Sequence, residues 1–143
     1  MRKTMLAILV LACATGFGQE WNTNFEMAKK NAQEKKQKII LVFSGSDWCA
    51  PCMKLEREIW SSETFKNYSK ENYTLLKADF PKRKKNALTA DLQDHNNQLA
   101  ERYNKNGFFP LVVVLDEKGK ALGQVGYKKS TPREYIELIN SFQ

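Results

Sequence analysis

Three scarcities bound what this chain can be. It has three cysteines and one histidine, His95, in 143 residues, and its longest apolar run, Met5 to Cys13, is about half the roughly 20 residues that a membrane-spanning helix needs. So few cysteines exclude a scaffold held by several disulfides. A single histidine leaves little to build a zinc or copper site, since such sites recruit several Cys and His ligands. No internal repeat and no low-complexity linker occurs, which excludes solenoids and tethered arrays. What is present, 42% hydrophobic and 27% charged residues, suits one compact domain with an ordinary core.

The first residues read as an export signal. Met1-Arg2-Lys3 is basic, Met5 to Cys13 is apolar, and small residues follow at Ala12, Ala14, Gly16 and Gly18, the three-part layout of a secretory signal peptide. Residues 1–18 are therefore expected to be removed and residues 19–143 to form the mature domain, exported to the periplasm. Val10-Leu11-Ala12-Cys13 resembles a bacterial lipobox, so a membrane association is expected only if Cys13 is acylated. Without Arg2 and Lys3 the formal charge falls from +7 to +5. The densest basic run, Lys82-Arg83-Lys84-Lys85, reads as a solvated loop. Export argues against a nucleic-acid partner, and the run points to no specific one.

Once Cys13 is discarded, the two remaining cysteines fall in Ser46-Asp47-Trp48-Cys49-Ala50-Pro51-Cys52, directly after the aliphatic run Ile39-Ile40-Leu41-Val42-Phe43. A buried strand ending at Gly45 and a helix from Pro51 onward would put both sulfurs at a helix's first turn. Unpaired backbone N–H groups there favour negative charge. A thiol in such a place ionises more readily, with pKa values falling from about 8.5 into a range of roughly 3.5–7.5, and the thiolate is the attacking species in disulfide exchange. A two-residue loop removes little unfolded-state entropy, so the pair serves exchange or metal binding better than stapling.

Along the chain, spacing predicts an amphipathic helix over 24–36 with Phe25, Met27, Ala28 and Ala32 inward, and a strand over 38–43 buried on both faces. It predicts a helix from Pro51 to Trp60, a short helix over 63–70 and a strand over 73–80. A helix over 90–103 follows, with Leu92, Leu99, Ala100 and Tyr103 inward. Phe108 to Leu115 and Lys120 to Gly126 read as a hairpin turning at Asp116-Glu117-Lys118-Gly119. Thr131, Pro132 and Glu134 have the spacing of a capped helix start, with Tyr135, Ile136, Leu138, Ile139 and Phe142 inward. Strand-helix-strand units followed by a hairpin imply a central mixed sheet with helices on both faces, an α/β fold.

On these residues the chain resembles the thioredoxin-like family. Trp48-Cys49-Ala50-Pro51-Cys52 matches the family's Trp-Cys-x-Pro-Cys site, Phe109-Pro110 matches its cis-proline, and the order of elements agrees from Trp21 to Phe142. Gly45-Ser46-Asp47-Trp48-Cys49 with Lys54-Leu55-Glu56 is most similar to exported members, including periplasmic domains of transmembrane reductases. The resemblance implies the thioredoxin fold and a thiol-disulfide oxidoreductase of the protein-disulfide reductase type. In it Cys49 is the exposed attacking residue, Cys52 the shielded resolving one, and Trp48, Phe109 and Pro110 the substrate-binding surface. It implies protein disulfide substrates and an upstream redox partner, a monomer, no cofactor and no metal.

Two residues depart from the family pattern. Phe43 stands where many thioredoxins carry a buried acid that handles the proton of the resolving thiol, leaving Asp47, Glu56 or water to do so. Bulky Phe109 precedes the proline where smaller residues are common, implying a narrower or more apolar groove. Two other readings use the same residues. One is a copper-binding or delivery protein holding metal on the two thiolates, with solvent-exposed His95 the sole imidazole. The other is a non-catalytic adaptor binding through Trp48, Phe108 and Phe109.

Overall fold

A computed structural model describes residues 19–143. The signal-peptide reading of residues 1–18 and the acylation reading of Cys13 lie outside the described residues. Five strands and five α-helices follow one another: β1 Trp21–Asn22, α1 Phe25–Lys35, β2 Lys38–Ser44, α2 Ala50–Leu55, α3 Glu63–Asn72, β3 Tyr73–Asp79, α4 Ala90–Tyr103, β4 Leu111–Leu115, β5 Ala121–Val125 and α5 Pro132–Asn140. The sheet order is β1-β3-β2-β4-β5. β3 runs parallel to β1 and β2, whereas β4 is antiparallel to both β2 and β5, which makes the expected mixed sheet.

β2 is central and alternates across the sheet, as a strand's period of two requires. Ile40 and Val42 pack with Leu55, Ile59, Trp60, Phe65 and Tyr135 on one face, while Ile39, Leu41 and Phe43 pack with Phe25, Leu76, Leu99 and Leu111 on the other. Burying each large aliphatic side chain contributes about 1.5–3 kcal/mol, so a strand with two buried faces is held in one register against its neighbours. α5 carries the predicted capping box: Thr131 Oγ1 accepts from the Glu134 N–H at 3.2 Å, and Glu134 Oε2 accepts from the Thr131 N–H at 2.8 Å.

The structure departs from the sequence reading in several places. β1 has only two residues, too short to show any periodicity. Met27 is 50% exposed, because it lies about 200° round the helix from Phe25. The helix after the cysteines does not run evenly to Trp60: after Leu55 it widens into a π-helical turn over Glu56–Trp60, with the Ser61 N–H donating five residues back to the Glu56 carbonyl. That turn carries the adjacent residues Ile59 and Trp60 into the core together. In α4 the buried residues are Leu99 and Asn96, and Leu92, Ala100 and Tyr103 are half-buried. Asn96 tolerates burial because its side-chain amide donates to the Asp79 carbonyl at 3.0 Å.

Phe108, Phe109 and Pro110 lie outside the ladder, since β4 starts at Leu111. Pro110 has no N–H to give. Both polar backbone groups of Phe108 are taken by the buried Asn104 side chain, which accepts from its N–H at 2.9 Å and donates to its carbonyl at 2.8 Å.

Candidate active site

β2 ends at Ser44, and the next five residues turn the chain into α2 at the C-terminal edge of the sheet, where open α/β sheets place their sites. The Cys49 N–H donates to the Gly45 carbonyl at 2.9 Å, closing the turn. A Cβ on Gly45 would collide with the Trp48 indole, which folds back over it. Glycine is therefore required there by close approach.

Cys49 is the N-cap of α2, and its sulfur accepts the Cys52 N–H at 3.3 Å. Pro51 occupies the first turn, where a missing N–H costs nothing. Cys49 and Cys52 are joined as a disulfide, with Cα atoms 5.2 Å apart. The Cys52 sulfur also accepts the Gly45 N–H at 3.5 Å. Both residues are 4% exposed in this bonded state, so exposure does not rank them as attacking and resolving residues. The sulfur of Cys49, the N-cap residue, is the one at the mouth of the helix.

The Phe109–Pro110 peptide bond is cis. Pro110 is buried and, with Pro51, Phe109 and Tyr127, lines an open groove of about 530 Å³ beside the cysteine loop. Trp48 and Phe109 meet edge to face with ring centres 5.4 Å apart, and Phe109 meets Phe80 in the same way at 5.4 Å. The sequence-predicted residues Trp48, Cys49, Cys52, Phe109 and Pro110 thus come together, with Phe108 54% exposed at the margin.

Of the three candidates for proton handling, the two side chains separate clearly. Asp47 is committed to the loop after β3: its carboxylate accepts from the N–H groups of Lys82 and Arg83 and from the Asn86 side chain. The Lys82 N–H foremost, then the Asn86 amide, hold its carboxyl below the usual carboxylate range. Glu56 lines a cavity of about 380 Å³ together with Cys52, Ser44 and Lys77, and its Oε2 lies 3.2 Å from Lys77 Nζ. The cavity has room for water, whose share of liquid volume is about 30 Å³. Phe43 points into the other core cluster and stacks on Phe80 with centres 6.4 Å apart. Sequence reasoning missed Lys77, although a lysine within the apolar stretch Leu75-Leu76-Lys77-Ala78 of β3 was a visible signal.

His95 is not solvent-exposed as expected but half-buried, and it is occupied. Its Nε2 accepts the Phe25 N–H at 3.0 Å, which leaves Nδ1 to donate to Asn96 Oδ1 at 2.9 Å. Among the described residues no group of three His, Cys, Asp or Glu is placed to hold a metal ion, and no helix is long and apolar enough to cross a membrane.

Comparison with known proteins agrees with this geometry. A family model described as thioredoxin-like matches residues 20–117. The disulfide bond reductase DsbH of Chlamydia pneumoniae is 30% identical over 122 residues, which cover 85% of this chain and 71% of that protein. A solved structure of a DsbH oxidoreductase superposes with a TM-score of 0.80 at 25% identity, covering 96% of this chain and 93% of its own. A thioredoxin from Thermus thermophilus shares the fold, with a TM-score of 0.63 at 15% identity over 87% of this chain and 86% of its own.

Proposed function

The chain belongs to the thioredoxin-like family, has its α/β fold and is a thiol-disulfide oxidoreductase; we propose that it reduces protein disulfides outside the cytoplasm, with Cys49 attacking and Cys52 resolving. The observation that carries this reading is the bonded Cys49–Cys52 pair at a helix mouth beside the groove of Pro110.

In the reduced protein, helix N–H groups favour the Cys49 thiolate. It attacks one sulfur of a substrate disulfide, forming a mixed disulfide and expelling the other substrate sulfur as a thiolate, which takes a proton from solvent. Cys52 then loses its proton and attacks the Cys49 sulfur. This releases the second substrate thiolate and leaves Cys49–Cys52 oxidised, two electrons having passed to the substrate. Glu56, in the cavity that Cys52 lines, accepts the Cys52 proton through water, with Lys77 holding the carboxylate in place. Trp48 and Phe109 form the apolar wall against which the substrate lies, and the backbone at Phe109 pairs with it. An upstream dithiol returns the pair to its reduced form.

The reductive direction is supported by the name of the DsbH relative, a disulfide bond reductase. The export layout of residues 1–18 supports a mature domain of residues 19–143 working in the periplasm as a monomer, lipid-anchored only if Cys13 is acylated. The test is turnover. Purified 19–143 is given a dithiol donor and a disulfide-bonded protein substrate. Wild type is expected to accelerate reduction, Cys49→Ser to abolish it, and Cys52→Ala to accumulate a mixed disulfide through Cys49. Full turnover by Cys49→Ser, or capture through Cys52 in its place, would overturn the assignment.

A further inference from the structure

The run Lys82-Arg83-Lys84-Lys85 lies in the loop between β3 and α4, and the fold ties that loop to the cysteine site. Asp47, two residues before Cys49, accepts from the N–H groups of Lys82 at 2.9 Å and Arg83 at 3.0 Å and from the Asn86 side chain at 2.9 Å. Trp48, adjacent to Cys49, donates its indole N–H to the Phe80 carbonyl at 2.7 Å, and the Lys82 ammonium sits 3.8 Å from the centre of the Trp48 ring. A loop whose charges served only solubility would need no such anchorage.

All four basic side chains are exposed. The ion pairs among the described residues join Lys29 to Glu26, Lys66 to Glu63 and Lys77 to Glu56, so none involves this loop. The carboxylates nearby are engaged. Asp47 binds the loop backbone, Asp79 accepts from the Ser46 N–H and hydroxyl, Glu56 faces Lys77, and Glu58 accepts from the Tyr127 hydroxyl at 2.7 Å. On the far side of the groove, Lys54 lies 6.0 Å from the ring centre of Tyr127 with no acidic partner. Asp47, Asp79 and Glu58 keep their negative charge, but the loop's four exposed cations together with Lys54 outnumber them, so the charge bordering the cysteine pair is net positive.

We propose that this anchored loop is a docking surface for an acidic segment of the substrate polypeptide, carboxylates flanking the disulfide that Cys49 attacks. The inference rests on the oxidoreductase reading and narrows its substrate class. Exposed rim charges act mainly on the rate of encounter and lose their reach beyond a Debye length of about 8 Å at physiological salt. An anionic membrane would satisfy the same charges, but it would meet the face that carries Trp48 and the groove, and would cover the site from its substrates.

The experiment compares peptides with one intramolecular disulfide flanked by Glu or by Gln, reduced by wild type and by the triple variant Arg83→Ser, Lys84→Ser, Lys85→Ser. At low salt, wild type is expected to reduce the Glu peptide at least about tenfold faster than the Gln peptide. The variant is expected to lose that preference while reducing the Gln peptide at the wild-type rate, and added salt to remove the preference in wild type. Equal rates for the two peptides in wild type, or an equal loss on both in the variant, would overturn the docking surface and leave the oxidoreductase reading intact. Failure to reduce either peptide would sink that reading and this inference with it. Loop-dependent binding to phosphatidylserine vesicles without a peptide preference would identify the surface as a membrane site and overturn the proposal.

Discussion

Lys77 Nζ stands 3.2 Å from Glu56 Oε2, joining the central sheet to the π-helical turn behind Cys52. The pair places a carboxylate on the Cys52 cavity although β2 carries Phe43 where the family commonly has its buried acid. In the proposed mechanism the proton acceptor therefore comes from the helix rather than the strand.

Replacing Glu56 by Gln keeps the shape and removes the proton acceptor. General base catalysis contributes about 10²–10⁴-fold, so resolution of the mixed disulfide is expected to slow by at least about tenfold. Alkylation of Cys49 in the reduced protein should keep its wild-type rate. Rapid-quench kinetics showing accumulated mixed disulfide would support the role. A half-exposed ion pair contributes only about 0–1 kcal/mol, so a large loss of stability in denaturant would point to structure instead.

Phe43→Asp restores the family's residue type in surroundings that do not suit it. The side chain lies in the core cluster with Leu41, Leu99 and Leu111, where an added carboxylate has no cation. The loss of a buried phenylalanine alone costs about 3–5 kcal/mol, and the desolvated acid adds to that. Chemical denaturation is expected to show at least that loss, and turnover no gain.

The Asp47 clamp has a defined pH sense. Its folded pKa is lowered by the Lys82 N–H and the Asn86 amide, so its contribution is fully present above the unfolded value of about 3.9. That contribution is lost as pH falls through the lowered folded value. The protection factors of the Lys82 and Arg83 amides, taken against the intrinsic exchange rate at each pH, are expected to be high at neutral pH and to fall in acid. In Asp47→Asn, where one acceptor oxygen becomes a donor group, protection should be lower than in wild type at neutral pH, and the difference should close in acid, where wild type has lost the same acceptor.

His95 serves the fold. Removing the acceptor for the first N–H of α1 in His95→Ala resembles the loss of an N-cap, about 0.5–2 kcal/mol, measurable as a lower unfolding midpoint. Disulfide reduction by the folded variant should be unchanged. A loss of activity without a loss of stability would return His95 to the active chemistry.

Local chemistry made much of this molecule legible in its sequence. The aliphatic run of β2, the Thr131 and Glu134 cap, and the spacing of Trp48, Cys49, Pro51 and Cys52 each act over a few residues, and periodicity and capping report such interactions directly. Tertiary structure alone decided which distant groups meet. Glu56 and Lys77 are 21 positions apart, and only the parallel register of β2 with β3 brings Lys77 to the cavity behind Cys52. His95 reads as exposed because its partner, the Phe25 N–H, lies 70 residues away. Likewise, a basic run that looks like idle solvent-facing charge stands at the redox centre because Asp47 hydrogen-bonds its backbone. The physical reason is one of range: helix, cap and turn preferences are set by neighbours in the chain, whereas ion pairs, buried hydrogen bonds and the shape of a groove are set by the packing of elements whose separation in sequence carries no signal.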